Sequence, residues 1–98
     1  MAAVPDFMTG SKTSIGTSAV PITSVTTNAR RGVQIIADTA NTVSVYIGIS
    51  TVTAGTSAAT TDGYPLAAGD SIVVPVIDAT KVYAVTASST ASISFMLV

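Results

Sequence analysis

Five aspartates, three tyrosines, two lysines and the adjacent pair Arg30-Arg31 carry most of the chemistry this 98-residue chain can offer. Cysteine and histidine are absent, as are tryptophan and glutamate. Without cysteine there is no disulfide, thiolate metal site or thiol nucleophile. Without histidine the usual general base and the commonest neutral metal ligand are gone. Gly10-Ser11-Lys12-Thr13 has the composition of a phosphate loop. That motif needs glycine directly before the lysine, and here Ser11 intervenes with no strand upstream and no helix downstream. Adjacent Ser11 and Lys12 are also poorly spaced for a serine–lysine nucleophile.

The aspartates stand at 6, 38, 62, 70 and 78, and none begins a calcium-loop pattern. Asp38, Asp62, Asp70 and Asp78 fall in predicted turns, where a carboxylate accepts local backbone N–H bonds, and we favour that over metal binding. Tyr46, Tyr64 and Tyr83 could stack on sugar rings, but cross-strand packing is the favoured role for Tyr46 and Tyr83. Arg30-Arg31 is the one local concentration of charge. It reads as a solvated pair entering a hairpin with one arginine near Asp38, or as a contact for an acidic partner surface. No catalytic residue, cofactor site or metal site is expected.

Composition frames the elements that would have to position any site. Charged residues make up 9% of the chain, against about 25% in an ordinary soluble domain. The formal net charge of -1 would draw neither nucleic acid nor an anionic membrane, and it gives little repulsion between copies. Mean hydropathy is positive, yet the densest apolar stretch, residues 72–77, is far short of the roughly 20 residues of a spanning helix. The opening residues lack the basic region and apolar core of a secretion signal, so a cytoplasmic place of assembly is expected.

Threonine, valine, serine and isoleucine lose rotamer freedom in helices and fit a pleated surface. Val33, Ile35 and Ala37 alternate with Gln34 and Asp38, and Val43, Val45, Ile47 and Ile49 alternate with more polar neighbours. Asp38-Thr39-Ala40-Asn41 lies between them, so residues 32–49 are predicted to form a β-hairpin. Residues 50–62 read as a long loop and 63–70 as a turn region. Strands are predicted at 72–77, 82–87 and 92–98, with two shorter ones around Ile15 and at Val20/Ile22, the latter pushed to an edge or bulge by Pro21.

About seven short strands predict a single antiparallel all-β sandwich or jelly-roll-like domain over residues 11–98, preceded by an N-terminal arm at 1–10. Two strands are apolar on both faces: Val73, Pro75 and Ile77 oppose Ile72, Val74 and Val76, and Met96 and Val98 oppose Ile93, Phe95 and Leu97. The second face needs cover, from a loop of the same chain or from another subunit. Large apolar residues in an unpatterned arm dock somewhere, in cis or on a neighbour. Phe7 and Met8, with Arg30, Arg31 and Ile36, are therefore the residues assigned to protein interaction.

From residue 30 onward the chain resembles small structural proteins of tailed bacteriophages, most like capsid decoration (cement) proteins. The resemblance is carried by Val45-Tyr46-Ile47-Gly48, by Asp62-Gly63-Tyr64-Pro65-Leu66-Ala67-Ala68-Gly69-Asp70-Ser71-Ile72, and by Lys81-Val82-Tyr83-Ala84-Val85 with a short closing strand. It implies a non-enzymatic β-sandwich that trimerises on the capsid surface of a virion and contacts the major capsid protein or another virion protein. A tail or fibre accessory module that anchors a fibre or binds host glycan is the alternative. A small lyase or hydrolase working through Asp and Tyr is a distant third.

Overall fold

A computed structural model describes residues 4–55 and 61–98. The period-two runs become eight strands: β1 (Thr9–Ile15), β2 (Val20–Pro21), β3 (Val33–Ala37), β4 (Val45–Gly48), β5 (Tyr64–Leu66), β6 (Ser71–Val74), β7 (Tyr83–Val85) and β8 (Ala91–Leu97). They form two four-stranded antiparallel sheets, in the orders β1-β8-β3-β6 and β2-β7-β4-β5. First pairs with last, β2 with β7, β3 with β6 and β4 with β5. The chain is thus one long nested hairpin, rolled up and closed by the β3–β8 and β4–β7 ladders. That is a jelly roll.

The expected sandwich is therefore what forms, but the hairpin over 32–49 does not. β3 pairs with β8 and β6, and β4 pairs with β7 and β5 in the opposite sheet. Alternation records which side of a strand is buried, and both runs bury one side in the same core. It does not record the pairing partner. The Asp38–Asn41 turn crosses between sheets, held by the Asn41 side chain. Its amide donates to the Ser92 carbonyl at 2.9 Å, and its oxygen accepts from Ser92 N at 2.9 Å. The first strand begins at Thr9, inside the segment read as an arm, and β5 occupies part of the region read only as a turn. Pro21 does sit on an edge strand. The 50–62 loop is tied at its base by Thr53, whose N–H donates to Thr61 O and whose carbonyl accepts from Gly63 N, both at 2.9 Å. Residues 56–60 of that loop lie outside the described residues.

The core lies between the sheets. Val33, Ile35, Ile93, Phe95 and Leu97 face Val45, Ile47, Leu66 and Ala84, all buried. On the outer side of β4, away from this core, Val52 is buried because Gly48 and Gly63 leave room for it. A Cβ on either glycine would stand 2.6 Å from Val52 Cγ2. This accounts for the glycine that closes the Val45–Gly48 strand.

One end of the roll is fastened by polar groups. The buried Thr27 hydroxyl donates to the Ile77 carbonyl and accepts from Ala79 N, both at 2.8 Å. Asp78 caps the 3-10 turn Ala79–Lys81, its Oδ1 accepting from Thr80 N at 3.0 Å and Thr80 Oγ1 at 2.8 Å. Thr27→Val keeps the shape and strands the buried Ala79 N–H, while the Ile77 carbonyl keeps its bond from Ala29 N at 2.8 Å, so a loss of about 2 kcal/mol is expected in urea unfolding. The Thr80 hydroxyl, then the Thr80 and Thr27 amides and the Lys81 ammonium, hold the Asp78 carboxyl below its ordinary range. A carboxyl lowered on folding contributes stability that is complete above its unfolded value near 4 and lost as pH falls through the lower folded value. Asp78→Asn should reduce stability at neutral pH and flatten that acid limb in pH-dependent unfolding.

Candidate interaction surface

The ladder registers decide which residues share a face. Opposed residues in antiparallel strands point the same way. Gly10, Phe95, Ile35 and Ile72 form an inward row, and Gly10 leaves room for the Phe95 ring. The flanking rows point outward: Thr9, Met96, Gln34 and Val73 in one, and Ser11, Ser94, Ile36 and Ser71 in the next. No charged side chain stands in these two rows. All of these residues but Val73 line a shallow open hollow of about 570 Å³. Val73 is 50% exposed and Ile36 42%, and Phe7, at 65%, lies in an adjoining recess with Met96, Val98 and Arg30. The second face of the two-faced strands is therefore open to solvent, with no described loop across it.

The five residues assigned to interaction part ways. Phe7 and Ile36 come to this face and its margin. Met8 turns inward and packs on the core, with its carbonyl accepting from Leu97 N at 3.0 Å. Arg30 sits at the end of the face and bridges to Asp6 at 3.4 Å, with both side chains largely solvated. Arg31 is exposed, and its N–H donates to the Val98 carbonyl. Neither arginine enters a hairpin beside Asp38, because the five residues of β3 separate 30–31 from 38. Val73, Met96 and Gln34 belong to the surface as well. The apolar second sides of 72–77 and 92–98 were the signal for the first two.

Three of the four aspartates assigned to turns do turn chemistry, whereas Asp62 sits in a bridge with Thr53 and accepts from its hydroxyl at 3.2 Å. Asp38 Oδ1 accepts from Ala40 N at 3.0 Å, Asp70 Oδ2 from Ala67 N at 3.1 Å, and Asp78 caps its turn. Among the described residues no three His, Cys, Asp or Glu side chains gather as metal ligands. Tyr46 is opposed to Pro65 and Val85, in keeping with cross-strand packing. Tyr64 is exposed, and Tyr83 lines a hollow of about 500 Å³ with Pro21, Thr23, Ile49, Thr80 and Lys81. No protein-family model, curated protein or solved structure matches the chain.

Proposed function

We propose that this chain is a non-enzymatic structural protein of a tailed-phage virion. It decorates and stabilises the capsid as a homotrimer seated on the major capsid protein, after assembly in the host cytoplasm. The observation that carries this reading is the charge-free outer face of the β1-β8-β3-β6 sheet, with Ile36, Val73 and Met96 on it and Phe7 at its margin. An apolar patch on a small domain marks a contact surface. Hydroxyls and apolar groups on a rigid sheet suit close packing against a neighbour with no charge to desolvate. A trimer presents three such faces at once, so effective concentration compensates for a modest patch per chain. The resemblance over residues 30–98 supplies the virion, and the jelly roll, a framework used by viral capsid domains, adds an analogy of fold.

The test is rebinding. Purified protein added to phage shells that lack it should bind to saturation and raise the temperature at which the shells open. A stable monomer at micromolar concentration that leaves the shells bare would overturn the reading.

A second reading, a tail or fibre module that binds glycan, has the Tyr83 hollow in its favour. One aromatic face, two threonines and a lysine suit a sugar ring. Titration with host surface glycan, followed by Tyr83 fluorescence, separates the two: a saturable change lost in Tyr83→Ala favours the sugar.

A further inference from the structure

A β-sandwich exposes the edges of its sheets, and three of the four edges here carry devices that discourage pairing. β1 has Lys12 and a register shift between Lys12 and Ile15. β2 is two residues long and contains Pro21, and β5 is three residues long and contains Pro65. Proline has no N–H to offer a new neighbour. β6 differs. Ser71-Ile72-Val73-Val74 has no proline, no charge and no shift in its ladder with β3, and it lies at the end of its sheet. Beside it, between the two sheets, runs an apolar groove of about 260 Å³ lined by Ile47, Ile49, Tyr64, Ile72, Val74 and Val82. Ile49, Tyr64 and Ile77 stand exposed nearby.

We propose that β6 is a pairing edge and that its occupant is β6 of a second copy. The strands run antiparallel across a two-fold axis and join two four-stranded sheets into one of eight. Charge placement selects this occupant. For both cores to lie on the same side, opposed residues must share a face, and the ladder centred on Ile72 sets Ser71 against Val73 of the second copy, the two residues of β6 whose backbone N–H and C=O point away from β3. Asp70, exposed just before β6, then falls beside Val74 of the second copy, which lines the groove together with the exposed Lys81. The two-fold repeats the pairing, so two opposite-charge contacts flank an uncharged ladder. The other nearby carboxylate, Asp78, faces Thr27 and Thr80. This isologous contact is distinct from the heterologous contacts that close a trimer, and it would join one ring to a second across two-fold axes perpendicular to the three-fold.

Sedimentation equilibrium of the full chain tests it, at low ionic strength and at concentrations up to about 1 mM, since small edge contacts are weak. The wild type is expected to double the mass of its base assembly as concentration rises. Asp70→Lys and Lys81→Asp each set like charges together and should weaken doubling on the order of tenfold. The double variant should restore it. Asp70→Lys also removes the bond from Ala67 N, and Lys81→Asp sets a carboxylate beside the Asp78 cap, so Lys81→Gln, which keeps the turn's backbone bonds and loses only the charge, carries the single-variant comparison and should weaken doubling less than Lys81→Asp. Absence of doubling, doubling indifferent to both charges, or a double variant as weak as the singles overturns the contact. Shell binding is read separately, so its failure would be told apart from this one.

Discussion

Gly32→Val is expected to abolish most of the domain's stability. Gly32 is buried and has a φ of 152°, a backbone that side chains rarely adopt and that a β-branched residue adopts least. A Cβ there would collide with the Val74 carbonyl oxygen and stand 3.1 Å from Pro75 Cα. Both obstacles are backbone, so no rotamer change relieves them. The residue is also pinned from the other side: Gly32 N donates to Val98 O at 3.3 Å, and Val98 N donates to Gly32 O at 2.9 Å. Dihedral strain alone costs on the order of 1–3 kcal/mol. With the collision added, the loss should exceed about 4 kcal/mol, against the roughly 5–15 kcal/mol that holds a domain of this size. Gly16→Ala is the control, since nothing lies within 4 Å of a Cβ there. Its urea midpoint should stay near wild type. An unchanged midpoint for Gly32→Val would mean that the end of β6 does not lie against the start of β3, and the nested topology would be wrong.

Ile36→Asp should leave the fold intact and remove the function. Ile36 points outward from the middle of its sheet, opposed to Ser94 and Ser71, so an aspartate there meets solvent and two hydroxyls in the free chain. Exposed substitutions of this kind change stability by about 0.5 kcal/mol. Once the face is covered, the same carboxylate is buried without a partner, which costs several kcal/mol. A penalty of about 3 kcal/mol per copy is more than a hundredfold in affinity, and a trimer meets it three times. Shell occupancy should fall below detection at concentrations that saturate the wild type, with an unchanged urea midpoint. Equal occupancy would show that this face is not the seat.

The two results depend on different parts of the chain's legibility. Residue pattern was enough to locate seven of the eight strands, β1 only near its end at Ile15, and to say which sides of β3 and β4 are buried. It was silent on partners, which is why β3 and β4 looked like a hairpin. Their true neighbours, β8 and β7, arrive about 40 or more residues later in the chain. β5 was hidden by its length and by Pro65, an edge residue that reads as a turn. The surface was half legible. Val73 and Met96 announced an apolar second side, but only the late insertion of β8 between β1 and β3 sets Ile36 and Met96 on one face with Phe7 beside them. Nothing local in the arm told that Met8 would turn in while Phe7 turned out.

Hydroxyl-radical footprinting of Met96 and Phe7, on the isolated protein and on intact particles that carry it, bears most directly on the covered face. Both side chains are open in the single chain and oxidise readily when exposed. Strong protection of both on the particle is the expected result. Equal oxidation in the two states would mean that the uncharged sheet faces water in the virion, contrary to the role proposed for it.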